Sequence, residues 1–262
     1  MTSIDHRVEA DSYEQDYSGR VFTADEIAEG EHLRFIGGAW PKHGRRQLDF
    51  MITHGLKPEH TLLDIGCGCF RAGRHFVDYL EPGHYYGIDS NHSLMQVGYD
   101  LELGEEQRAR LPVGNLRAND RFDGDFGVQV DFALAQSVFT HVSLNHIRLC
   151  LYRTAMVVRP GGSFFATFFE RGTDTPVDRI FAANESKPFF TEKNVYWYYH
   201  SDLRWAARFG RWKAVYIGDW GHPAKQKMMQ FIRLPDEEPS QPSRTLIARG
   251  RRWAARKLDP AR

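Results

Sequence analysis

The residues best placed by type and spacing to do chemistry are Asp64, Gly66, Gly68 and Asp89, with Ser90 directly after the last. Glycines at 66 and 68 let the backbone approach a ligand without Cβ interference, and the free N–H groups that open a following helix favour a negative group such as a carboxylate. An acid closing a second strand reaches ribose hydroxyls. With an apolar run ahead of the glycines, this order of acid, glycine, glycine and acid points to a nucleoside-containing ligand.

These residues need a strand, a tight turn, a helix and a second strand to position them. Thr61-Leu62-Leu63-Asp64-Ile65 reads as a buried parallel strand, and Gly66-Cys67-Gly68 breaks it. Ala72, Phe76, Val77 and Leu80 fall on one face of a helix predicted from about Phe70 to Leu80, which Glu81-Pro82-Gly83 stops. Tyr85 to Ile88 is the second strand, and Asp89 ends it.

Two ligand classes compete for such a unit. A dinucleotide needs the helix close to its pyrophosphate, usually with a third glycine soon after the second. Here Phe70 occupies the next alternate position. Asp64 would repel a pyrophosphate, whereas the ammonium and sulfonium of S-adenosylmethionine would be attracted. Asp64-Ile65-Gly66-Cys67-Gly68 therefore resembles motif I of the class I S-adenosylmethionine-dependent methyltransferases. Val138-Phe139-Thr140-His141 and Arg159-Pro160-Gly161-Gly162 resemble the motifs of that family around strands four and five. The resemblance runs over roughly Leu62 to Arg233 and departs from the commonest form at Phe70, although Gly73 lies nearby.

What the resemblance implies is an α/β fold: a Rossmann-like, doubly wound, seven-stranded and mostly parallel sheet with a terminal antiparallel hairpin and an N-terminal helical cap. It implies S-adenosyl-L-methionine as cofactor, with Asp64, Gly66, Gly68, Asp89, Ser90 and Gln136 at its site. After a short third strand over Leu116 to Asn119, it implies that Asp120 accepts from the adenine amine while Phe122 packs on the ring.

The rest of the chain divides around this unit. Residues 1–55 are expected to form an N-terminal helical extension, 56–234 the methyltransferase domain, and 235–262 an acidic, proline-containing linker with a basic tail. In the extension, a helix start near Thr23 is broken at Gly37-Gly38, and Arg45 to His54 offers Leu48, Met51 and Ile52 on one face. Val130 to Ser137 is a fourth strand, Ser143 caps the helix after it, and Ser163 to Phe169 is a fifth strand. Ser201 is read as the cap of a later helix over Asp202 to Phe209, and Ala214 to Ile217 with Lys227 to Leu234 as the hairpin.

Length and composition bound the partners. The 262 residues suit one sizeable α/β domain with an appendage. Lys plus Arg and Asp plus Glu are 34 each, so no global field points to nucleic acid. No run of about 18 apolar residues exists and Met1 to Arg20 lacks signal character, so a cytoplasmic protein is expected. The basic residues from Arg244 to Arg262 could rest on an anionic membrane as a peripheral contact. Cys67, Cys69 and Cys150 form no disulfide framework, and the Cys67-x-Cys69 pair is read as small side chains in a glycine turn rather than a metal site.

Methyl transfer to a hydroxyl needs an acceptor for the proton. His141 ranks first because it lies just beyond the end of strand four, where ligands sit in open α/β sheets; His200 and His222 follow. Gln136-Ser137-Val138-Phe139 stands where amino-group methylation of nucleic acid bases would place Asn or Asp before Pro-Pro and an aromatic. The expected acceptor is a small molecule, a sugar or the glycan of a glycolipid, with oxygen as the acceptor atom. The competing reading is a noncatalytic partner subunit that binds S-adenosylmethionine.

Overall fold

A computed structural model describes residues 18–38, 40–171 and 196–236. At its centre β1 (Leu62–Ile65) is buried at all four positions. It pairs in parallel with β2 (Tyr85–Asp89) on one edge and β4 (Val130–Ala135) on the other. A strand bonded on both edges and covered on both faces has no solvent side, which is why its sequence reads as an apolar run. Beyond β2 lies β3 (Leu116–Ala118), and beyond β4 lies β5 (Val158–Glu170). The hairpin of β7 (Trp212–Asp219) and β8 (Lys227–Arg233) closes the sheet, with β8 inserted antiparallel between β5 and β7. The strands run in the order β3-β2-β1-β4-β5-β8-β7, which makes the expected seven-stranded, mostly parallel sheet with a terminal antiparallel hairpin. A two-residue strand, β6 (Trp197–Tyr198), adds to the end of β5 at Phe169 and Glu170.

Helices α1 (Ala24–Ala28), α2 (Glu31–Phe35) and α3 (Trp40–Thr53) precede the sheet. Between the strands come α4 (Gly73–Tyr79), α5 (His92–Val97), α6 (Glu105–Arg110), α7 (Leu144–Val157) and α8 (His200–Ala207). Successive strand residues point to opposite faces and so feed two cores. Leu63, Ala133 and Phe164 pack with Ile147, Leu151 and Leu203 from α7 and α8. Leu62, Leu134 and Phe165 pack with Met51, Phe76 and Val77 from α3 and α4. A third cluster joins Phe22 of the N-terminal segment to Cys69 and Leu94, which holds that segment against the glycine turn.

Local differences from the sequence reading have physical causes. The helix expected from Phe70 opens only at Gly73, because Phe70 sits at φ 63°, outside the helical region. Ile52 turns outward at 36% exposure while Leu48 and Met51 are buried. The Arg159 to Gly162 turn does not separate helix from strand: the pairing of β5 jumps from Val130↔Val158 to Phe132↔Ser163, so the four residues loop out inside the strand. Helix α8 begins at His200 and takes its cap from Asp202, which accepts from the Tyr199 N–H at 2.9 Å, rather than from Ser201. Thr23 does start α1, through a reciprocal box with Glu26. The loose N-terminal start before Ser18, most of the irregular stretch after β5, and the linker and basic tail from Glu237 onward lie outside the described residues. Among the described residues no helix is long and apolar enough to cross a membrane.

Candidate functional site

Chain order reverses between β1 and β4, and a cleft of about 1500 Å³ opens at the C-terminal ends of these strands. Asp64, Gly66, Gly68, Asp89, Ser90, Asp120, Phe122, Gln136 and His141, all singled out from the sequence, line it. The structure thus brings together in one cavity residues spread along the chain from Asp64 to His141.

The glycine turn is held by the strand beside it. Gly66 and Cys67 both donate their N–H to the Ile88 carbonyl, at 2.7 and 3.1 Å. Gly66 takes φ 76°, and a Cβ there would stand 2.4 Å from Val138 Cγ2, so both conformation and space demand glycine. The Gly68 N–H donates to Asp89 Oδ2 at 2.8 Å, and Asp89 Oδ1 accepts from the Asn91 N–H at 2.8 Å. Asp89 therefore ties the turn to the end of β2 and keeps further lone pairs for a ligand. Burial raises its pKa, against the N–H bonds from Asn91, Gly68 and Ser90 that lower it. Phe70, fully buried, fills the place that a third glycine would leave open. The demand for a missing side chain passes to Gly73, where a Cβ would meet Tyr85 Oη at 2.6 Å and Phe70 Cδ1 at 2.9 Å.

Asp64 is 4% exposed, and its Oδ2 accepts from the Tyr85 hydroxyl at 2.7 Å. Burial pushes its carboxyl up to about 7, opposed by the Tyr85 bond and the Arg71 charge and reinforced by Asp89. An acid in that state gains most from a cation placed against it. On the other flank, Asn119 shapes the turn after β3. Its Oδ1 accepts from the N–H groups of Arg121 at 3.1 Å and Asp123 at 2.8 Å, while Phe122 lies at φ 57° and Asp120 is exposed at the rim.

Beyond β4 the cleft wall is a hydrogen-bonded set of side chains. Gln136 Nε2 donates to Ser137 Oγ at 3.0 Å, and Ser137 Oγ donates to Gln226 Oε1 at 3.1 Å. Thr167 Oγ1 accepts from the Ser137 N–H and donates to Gln226 Oε1, both at 2.7 Å. Gln136 Oε1 is buried without a protein partner. The N–H of His141 donates to the Val138 carbonyl at 2.9 Å, which places this histidine in the turn that leaves β4. Of the other two histidines, His222 lines the cleft and His200 does not; His200 Nδ1 lies 3.1 Å from Glu170 Oε1. Burial brings His222 down to about 4, helped by the charges of His43, Arg71 and Arg46. A base that weak is poorly matched to neutral pH.

Sequence reasoning missed Arg71, His43, Asn119 and Gln226, all of which line the cleft. Arg71 and Asn119 stand next to residues that the sequence did mark. His43 and Gln226 belong to no motif and reach the cleft only through the packing of α3 and of the β7–β8 connection.

A family model described as a methyltransferase domain matches residues 63–164. Among solved structures, the sugar N-methyltransferase of Streptoalloteichus sp is 14% identical, covers 90% of this chain and 99% of its own, and has a TM-score of 0.55. Human N-acetylserotonin methyltransferase in complex with S-adenosylmethionine is 15% identical over 83% of this chain and 60% of its own, at a TM-score of 0.58. Magnesium protoporphyrin IX methyltransferase from Synechocystis, also with S-adenosylmethionine bound, is 13% identical over 80% and 94%, at 0.54. At these identities the likeness is one of fold.

Proposed function

From the premise that this chain is a class I S-adenosylmethionine-dependent methyltransferase, we propose that it methylates a small molecule, a sugar or the glycan of a glycolipid, at oxygen, with His141 accepting the proton. The observation that carries the reading is the cleft itself: one cavity is lined by the acid, glycine and acid set and by His141.

The residues fit the cofactor. Gly66 lets the turn close against Val138, Asp64 offers a buried acid to an ammonium, and Asp89 offers lone pairs to ribose hydroxyls. Asp120, Phe122 and Ser90 line the part of the cleft where adenine and ribose would lie, and Gln136 offers a buried acceptor beyond them. When bound, S-adenosylmethionine supplies a methyl group on positive sulfur. The chain then has to orient the acceptor in line with that group, a contribution that can reach about 7 to 11 kcal/mol of barrier. His141 takes the hydroxyl proton; His222, held neutral, is left as a hydrogen-bond donor to the acceptor. The solved sugar and N-acetylserotonin methyltransferases of the same fold support a small acceptor.

The test starts with a cell extract incubated with isotopically labelled methyl donor, in which mass spectrometry identifies the labelled small molecule or glycolipid. With that acceptor, His141→Ala is expected to slow the chemical step by about 10² or more while donor affinity changes little. A rate within a few-fold of the parent rejects His141 as base. Tight donor binding with no labelled product in any extract favours a noncatalytic partner subunit.

A further inference from the structure

Among the described residues ten large apolar side chains stand exposed, and five of them gather on one face: Tyr152, Met156, Trp205, Phe209 and Leu234. Tyr152 and Met156 follow Arg148 at one-turn spacing on α7, so they run along one side of that helix. The rings of Trp205, on α8, and Phe209, in the 3-10 turn after it, meet edge to face with centroids 5.4 Å apart. Arg148 joins the two helices, its guanidinium 5.0 Å from the Trp205 centroid and 4.3 Å from that of Phe209. Leu234 extends the far end, where Arg233 Nε donates to the Ala155 carbonyl at 2.8 Å and the Leu234 N–H to the Arg211 carbonyl at 2.9 Å. Exposed apolar residues scattered singly need no explanation, but a contiguous set marks a surface that something covers.

The rim of this face is basic, although the chain as a whole has equal numbers of acids and bases. Helix α7 holds Arg148 and Arg153 and no acid, and the stretch from His200 to Arg211 holds Arg204, Arg208 and Arg211 against Asp202 alone, which the Tyr199 N–H engages. Among the described residues Arg153, Arg204 and Arg208 form no ion pair. The chain also leaves the described residues here: Arg211 Nη2 donates to the Pro235 carbonyl at 2.7 Å, and the sequence beyond Asp236 places seven Lys and Arg between Arg244 and Arg262 against Asp259 alone. We propose that the face of α7 and α8 docks on an anionic phospholipid bilayer. Trp and Tyr rings settle at headgroup level, Met156 and Phe209 reach the acyl boundary, and the arginines meet lipid phosphates with their stems along apolar surface. A nucleic acid would satisfy the arginines and leave Met156 and Leu234 uncovered, and a second copy of the same face would set arginine against arginine. Because α7 opens at the cleft, which Ser143 and His146 line, docking holds the cleft near the headgroups.

Flotation of the full chain with lipid vesicles tests this. Vesicles of phosphatidylcholine with about 30% phosphatidylserine are expected to carry the protein, and phosphatidylcholine alone to leave it behind, with binding lost as salt rises from about 50 to about 500 mM. Arg153→Gln, Arg204→Gln and Arg208→Gln together should weaken binding by about tenfold or more, and so should Trp205→Ser with Phe209→Ser. Brominated acyl chains should quench the tryptophan fluorescence of the parent more than that of Trp205→Phe. Should the paired serine variant fail to fold, Met156→Glu, at the most exposed of these positions, carries the same comparison. Face variants that float like the parent overturn the proposal and leave the binding to the basic tail. A parent that ignores anionic vesicles overturns it too, and an RNA complex or a dimer that the face variants then lose would assign the face to that partner instead. The proposal stands apart from the methyl-transfer reading, since S-adenosylhomocysteine titration of the face variants is expected to match the parent whichever way the vesicles answer.

Discussion

The two halves of the cleft are built by different means. Around the glycine turn the wall is backbone, held within one strand-helix-strand unit by bonds from Gly66, Cys67 and Gly68 to Ile88 and Asp89. Beyond β4 it is side chain: Gln136 and Ser137 from the end of β4, Thr167 from β5, Gln226 and His222 from before β8, and His43 from α3. A backbone wall is specified by neighbours in the chain and tolerates few substitutions. A side-chain wall is assembled from remote segments, and each member can change without undoing the fold.

The halves also respond to protons with opposite sign. Asp64 is raised from 3.8 to about 7, so between those values the folded state binds more protons than the unfolded chain, and the stability Asp64 contributes is lost as pH rises. His222 is lowered from 6.5 to about 4, so there the unfolded chain binds more protons, and its contribution is lost as pH falls. Each tenfold change in proton affinity is worth about 1.4 kcal/mol, so the two groups contribute on the order of 3 to 5 kcal/mol apiece, and in the parent they largely offset. Asp64→Asn, which can still accept from Tyr85, should leave a protein whose stability climbs from pH 4 to 6.5; His222→Gln should leave one whose stability falls from pH 4 to 7. Urea unfolding across that range measures both slopes. Flat profiles in both variants would show that neither group carries the charge difference assigned to its half.

A smaller effect, about 2 to 4 kcal/mol, is expected for Gly66→Ala, which combines a residue at φ 76° with a Cβ against Val138 Cγ2. Adding Val138→Ala should restore the part due to contact and leave the part due to backbone conformation. Thermal unfolding of the single and double variants separates the two. Full recovery in the double variant would mean that the turn is held by side-chain fit after all, and would weaken the contrast between the halves.

That contrast also sets what could be read from the sequence. Asp64, Gly66, Gly68 and Asp89 announce themselves because a tight turn, a buried strand and a strand-end acid each need a particular residue type at a fixed spacing. The sheet followed from the same runs, since β1, most of β4 and the stretch of β5 from Gly162 to Phe168 are buried and read as mainly apolar runs. Phe70 misled the helix boundary because a left-handed aromatic has no composition signal. Helix α6, EEQRAR, was invisible because its charged and polar residues show no apolar stripe. His43 and Gln226 carry no local pattern, and only the packing of distant segments gives them a common cavity.

The smallest predicted effect bears on whether the halves are energetically separate. Thr167 is fully buried and makes both of its bonds to the β4–β8 network. Thr167→Val keeps the shape, leaves the Ser137 N–H without its acceptor and takes one of two donors from Gln226, so a stability loss of about 1 to 3 kcal/mol is expected. Ser137 stands at φ 59° directly before the turn that carries His141, so loosening its N–H should disturb acceptor placement rather than the glycine turn. Calorimetry should find S-adenosylhomocysteine affinity within about twofold of the parent, because no bond among Gly66, Gly68, Asp89 and Ile88 has changed. With an acceptor in hand, turnover at saturating donor should fall instead. A parallel loss of cofactor affinity would mean that strain at Ser137 travels through Val138 to its contact with Gly66, and the cleft would then be one cooperative unit rather than two walls.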